Sequence, residues 1–149
     1  MKTLLMILLF VVGAEAAMAE EAKVTPLISK DLAAIPGKEI LMIRVEYPPG
    51  HADEIHRHNA QSFVYVLQGS VIMQVRGGKQ VNLEAGQTFY EAPDDVHIVG
   101  RNASKTESAT LVVFLVKDKG AGHSRSVVCE VLRAEADFQE PAALHGITL

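Results

Sequence analysis

Two histidines one residue apart, His56 and His58, are the first place in this 149-residue chain where residue type and spacing suggest chemistry. They lead into the apolar run Phe63-Val64-Tyr65-Val66-Leu67, so they belong to the start of a strand. Alternate side chains of a strand share a face, which turns both imidazoles one way and Arg57 the other. Two same-face imidazoles can close on one metal ion. An ion so held needs further ligands and a wall around it, and the rest of the chain must supply both.

The elements that would position such a pair read as short strands. Residues 40–47 (ILMIRVEY) place Leu41, Ile43, Val45 and Tyr47 on one face, and Pro48-Pro49-Gly50 ends the run. Residues 62–68 are apolar on both faces, so Phe63 and Tyr65 are expected in the core or a pocket wall, as are Met73, Phe89, Tyr90 and Phe114. Residues 70–76 alternate again, and Gly77-Gly78 fits a two-residue type I′ hairpin back into 79–84. Further strands are expected at 87–91, 96–100 and 109–117. Strands this short and this regularly interrupted by turns predict an all-β sandwich or barrel, and no intervening helices suggest a parallel α/β sheet. Residues 20–39 read as a lead-in with at most one short strand. After 118 the signal fades, with weak helical spacing over 130–139 in a tail of uncertain structure.

Composition bounds the rest. The chain is 48% apolar with a formal charge of −4 and no dense Lys/Arg cluster, which argues against disorder and against nucleic acid as a partner. Residues 1–19 read as a secretory signal peptide: Lys2, an apolar stretch over 4–12, then the small-x-small site Ala17-Met18-Ala19. That stretch is shorter than the ~20 apolar residues a bilayer requires. The expectation is a secreted or periplasmic protein starting at Glu20, with no membrane contact after cleavage. Cys129 is the only cysteine, so an intrachain disulfide is excluded.

Two longer intervals then carry a resemblance. Gly50, five residues, His56-x-His58 and then Gly69 is similar to the first cupin motif, and Gly86 through Pro93 to His97 is similar to the second. The chain resembles a small single-domain cupin of the type-2, quercetin-dioxygenase-like kind over about residues 40–118. The resemblance implies a cupin double-stranded β-helix, or jelly-roll, barrel. It also implies that His56, His58 and His97 hold one divalent transition metal: Fe, Mn, Zn, Ni or Cu, since imidazole suits all of them.

One departure matters. Where the first motif has glutamate this chain has Ser62, with Asn102 standing one place late for the second motif's asparagine. A serine is a poor ligand, so a carboxylate or amide from elsewhere is sought. Glu91 shares the parity of Phe89 and reads either as an inward carboxylate near His97 or as a strand-end carboxylate in water or paired with Arg or Lys, while Gln61 would reach a metal only through a bulge. Asp53 and Glu54 read as solvated loop residues, His51 as a mouth or surface residue, and His123 and His145 as chemically silent. Asn102-Ala103-Ser104 is a formal glycosylation sequon. No catalytic residue and no organic cofactor site is assigned. The functions that follow are a metal-dependent, dioxygenase-like oxidoreductase for a small oxygenated molecule, or a non-catalytic metal- or small-ligand-binding module. A homodimer is compatible with either.

Overall fold

The computed structural model describes residues 20–126. The expected leader over 1–19, Cys129, the weakly helical stretch 130–139 and His145 lie outside the described residues. The chain forms β1 (Lys23–Asp31), β2 (Lys38–Tyr47), β3 (His56–Arg57), β4 (Ala60–Gln68), β5 (Ser70–Val75), β6 (Val81–Glu84), β7 (Thr88–Glu91), β8 (His97–Asn102), β9 (Ala109–Asp118) and β10 (Arg125–Ser126). Two antiparallel five-stranded sheets result, ordered β1-β2-β9-β4-β7 and β10-β3-β8-β5-β6. This is the all-β jelly roll expected from the strand pattern.

Side-chain alternation builds the core. On β4, Ala60, Ser62, Val64 and Val66 are buried while Gln61, Phe63, Tyr65 and Leu67 are exposed. Ile43, Val45 and Tyr47 of β2, Val71 and Met73 of β5, and Leu111, Val113 and Leu115 of β9 complete the apolar interior. At about 25 cal/mol per Å² of apolar surface removed from water, this interface between the sheets is the main force holding the barrel.

Two local expectations are corrected and a third is narrowed. The lead-in contains a nine-residue strand, β1, paired with β2 from Lys23 opposite Glu46 to Asp31 opposite Glu39. Its apolar residues Val24, Leu27 and Ile28 are exposed and follow no period of two, which hid the strand. A register shift at Pro26/Ile28 on this edge strand accommodates a proline that has no N–H to donate. The β5–β6 hairpin is not a two-residue type I′ turn, because only Gly77 has positive φ (81°) and Gly78 donates to the Val75 carbonyl at 3.0 Å. A single positive φ at the third turn position is the type II signature. Finally, of the two places expected for them, Phe63, Tyr65 and Tyr90 take the pocket wall and not the core: they are exposed and line an outer-face pocket with Phe114, whereas Met73 is buried and Phe89 packs against the core.

Candidate metal centre

Strand pairing brings the two motif halves together. His56 of β3 lies directly opposite His97 of β8, and His58 follows on the same face. One ring nitrogen from each of His56, His58 and His97 lies within 4.8 Å of those of the other two. The ring centroids are 4.9 Å apart for His56 and His58 and 5.0 Å apart for His56 and His97.

Backbone carbonyls fix which nitrogen of each ring is available. His56 Nδ1 is 2.8 Å from the Glu54 carbonyl and His58 Nδ1 is 2.8 Å from the His123 carbonyl. A carbonyl can only accept, so both Nδ1 atoms carry the proton and both Nε2 atoms keep a lone pair. His97 is the mirror case: its Nε2 is 2.6 Å from the Val99 carbonyl, leaving Nδ1 as the nitrogen that faces the cluster. Such orientation of imidazoles through their other nitrogen is characteristic of metal ligands.

Glu91 borders the cluster on the His97 and His58 side. It is buried on β7, with Oε1 2.9 Å from His97 Nδ1 and Oε2 3.5 Å from His58 Nε2. Although the 2.9 Å separation is that of an ion pair, His97 Nδ1 has no hydrogen-bond partner in an acceptable direction. Direction is the stricter criterion: the two atoms lie side by side and do not point at one another. Two ligands about 2.1 Å from one ion and at right angles lie about 3 Å apart, so the orphaned nitrogen and its neighbouring carboxylate fit a shared cation. A proton on Nδ1 is the competing cation. Burial alone would lower the His97 pKa, but the adjacent Glu91 carboxylate and the Val99 carbonyl outweigh it and hold the imidazolium above its usual range. Burial would raise Glu91, yet the His97 and His58 rings bring it below the usual carboxylate range. For His58 burial wins over Glu91 and favours the neutral ring.

The centre opens on a cavity of about 300 Å³. Its lining joins the polar His56, His58, Ser62, Tyr47, Asp53, Glu54, Ser124 and Ser126 to the apolar Val45, Val64, Met73 and Leu111. Ser62 is fully buried, and its hydroxyl has no hydrogen-bond partner. Gln61 is not brought to the histidines: alternation that turns Ser62 inward turns Gln61 to the exposed outer face.

The loop between β2 and β3 is the part that sequence reasoning under-read. Asp53 is not a solvated loop carboxylate. It accepts a hydrogen bond from the buried Tyr47 hydroxyl, stands 3.1 Å from His51 Nε2, and its amide donates to the Gly100 carbonyl at 2.7 Å. Burial first, then the Asp53 charge, pushes the Tyr47 phenol well above its usual pKa, so it stays protonated as a donor. Asn102 anchors the same loop, its amide nitrogen lying 3.2, 3.0 and 2.8 Å from the carbonyls of Tyr47, Pro48 and Glu107. That buried amide is fully used inside the fold, which removes the sequon as an accessible acceptor. Gly100 explains why no side chain intervenes: a Cβ there would stand 2.6 Å from Asp53 Oδ2 and 2.9 Å from His97 Nε2. His123, expected to be silent, lines the cavity and orients His58 through its carbonyl. Its signal was absent because a carbonyl contact does not depend on residue type.

A family model described as a cupin domain matches residues 43–114, which include all three histidines. Among solved structures, a cupin-like protein from Thermotoga maritima is 20% identical with a TM-score of 0.55, covering 71% of this chain and 75% of that one. A Klebsiella pneumoniae protein with a double-stranded β-helix domain is 19% identical with a TM-score of 0.55, covering 76% and 88%. The DMSP lyase DddQ from Ruegeria pomeroyi is 17% identical with a TM-score of 0.53, covering 59% of this chain. This chain spans only 43% of that lyase's length. No curated protein matches in sequence. At these identities the neighbours speak to fold alone, and together with the matching family model they show that residues 43–114 form a cupin domain.

Proposed function

We propose that this chain is an exported, metal-dependent cupin that acts on a small oxygenated organic molecule as a dioxygenase-like enzyme. The observation that carries the reading is the convergence of three oriented imidazoles beside the buried Glu91, two of the rings, His56 and His58, lining a cavity. His56, His58 and His97 would hold a divalent transition metal. When bound, it would supply Lewis acidity toward an oxygen ligand and, for a redox metal, an oxygen-binding position. The chain's own residues orient the rings through the Glu54, His123 and Val99 carbonyls and line the ligand space with Val45, Val64, Met73 and Leu111 beside Tyr47 and Asp53. Export rests on the leader pattern of residues 1–19.

A second reading, a non-catalytic ligand-binding module, is favoured by one observation. Asp53, a carboxylate in the cavity wall, has both oxygens occupied, by Tyr47 and His51, which leaves it poorly disposed to act as a base. The homodimer belongs to this proposal as well, with the exposed Phe63, Tyr65, Leu67 and Tyr90 as its surface. Metal analysis of the purified protein, followed by oxygen uptake with flavonols, β-diketones and thiols and a lyase assay with DMSP, separates these readings. Stoichiometric metal with turnover supports the enzyme. Stoichiometric metal without turnover supports the module, and absence of metal from the wild type contradicts both.

A further inference from the structure

Ser62 and Glu91 are directly opposite one another on the paired strands β4 and β7, and both are buried. Opposed positions on an antiparallel pair hold their Cβ atoms about 4.5–5.5 Å apart, so a carboxylate on either one reaches the same neighbourhood. The two are nevertheless in different situations. Ser62 lines the cavity with His56 and His58, whereas Glu91 touches His97 and His58 and is absent from the cavity wall. The carboxylate thus stands on the closed side of the cluster, and an unpartnered hydroxyl stands on the open side.

We propose that the site has exchanged its carboxylate across one rung of the β-ladder. Glu91 supplies the anionic contact to the cation held by the histidines, and Ser62 donates its hydroxyl to an oxygen anion of the exogenous ligand. The inference rests on the metal-site reading above and adds to it the class of ligand. A glutamate at position 62 would fill the open side of the centre, and the serine leaves that space to the ligand. The rest of the wall sets the apolar Val45, Val64, Met73 and Leu111 beside the polar Tyr47, Asp53, Glu54, Ser124 and Ser126. At about 300 Å³ the cavity lies at the small end of ligand sites, which run from about 300 to 1,000 Å³. The ligand is therefore a compact carboxylate or enolate with a short body that meets both apolar and polar wall.

Equilibrium dialysis with manganese(II), and calorimetric titration of the manganese-loaded protein with isobutyrate, test both halves. Glu91→Ser and the isosteric Glu91→Gln are expected to weaken metal binding about 10–100-fold, the range found when close partners of metal ligands are removed. Adding Ser62→Glu to Glu91→Ser is expected to recover most of the metal affinity while abolishing isobutyrate binding. Ser62→Ala is expected to keep metal affinity and weaken isobutyrate about 10-fold, as loss of a hydrogen bond to a charged group does. Neutral isobutyramide should bind wild type and Ser62→Ala equally poorly. Folding of each variant is checked by its thermal melt. Wild-type metal affinity in Glu91→Gln, no recovery in the folded double variant, or unchanged isobutyrate affinity in Ser62→Ala overturns the exchange. Failure of the wild type to bind manganese overturns the metal-site reading itself.

Discussion

Two buried acid–base clusters abut the same end of β4, and only one of them has atoms to spare. Opposite Ala60, Lys117 of β9 is buried against Glu39 of β2, and its ammonium also donates to the Ala121 carbonyl at 2.6 Å. The Lys117 hydrogen bond holds the Glu39 carboxyl below its usual range. Two residues along, Ser62 and Glu91 face each other beside the histidines, and there His97 Nδ1 and the Ser62 hydroxyl have no hydrogen-bond partner. Buried polar groups are normally partnered, and each exception calls for an explanation. The complete cluster is architecture, tying β2 to β9 and to the segment that follows. The incomplete one is the cluster that the proposed metal and its ligand would complete.

That contrast can be broken by mutation. The largest effect is expected from His58→Ala, which removes one of three imidazoles and should lower metal affinity by more than the about 100-fold seen for supporting residues. Lys117→Met should lower the thermal midpoint by several degrees while leaving metal stoichiometry at the wild-type value, as measured by melting and metal analysis. Loss of metal in Lys117→Met would erase the distinction between the clusters. Gly100→Ala comes next. Its Cβ must displace Asp53 or His97, at a cost of about 1–3 kcal/mol for overpacking, with weaker metal binding measured in the same protein.

A subtler test is the pH dependence of the metal-free protein. Glu91 is depressed, so its contribution is present above its usual pKa of 4.5 and is lost as the solution becomes more acidic. His97 is raised, so its contribution is fully present below 6.5 and is lost as pH rises through the folded-state value. His58 is depressed and acts in the opposite sense, destabilising the fold when pH falls below 6.5. Urea midpoints should therefore show an alkaline decline in wild type that is absent in Glu91→Gln. An identical decline in both would show that the carboxylate does not hold the His97 proton. The smallest expected effect is that of Gln61→Ala, whose exposed side chain should leave metal affinity unchanged.

How much of this was legible in the sequence follows from which interactions are local. Alternation on β2 and β5 named the inward residues, because a period of two is imposed by the backbone itself. The pairing of His56 with His97 was readable through the two motif intervals, and the parity of Glu91 with Phe89 allowed the inward place that carboxylate takes. The outward positions of β4 were not separable from the core because Phe63 and Tyr65 are as apolar as core residues, and composition does not say which face is covered. β1, the Tyr47–Asp53–His51 network and the His123 carbonyl were not legible. Each depends on a contact between distant segments, and none requires a distinctive residue pattern.

The central claim is that three imidazoles share one cation. X-ray absorption on the manganese- or cobalt-loaded protein tests it most directly, because imidazole rings give a multiple-scattering signature that can be counted. The account predicts one ion per chain with three imidazoles among its ligands, reduced to two or lost altogether in His58→Ala. A wild-type ion bound with no imidazole, or a spectrum unchanged by His58→Ala, would contradict it.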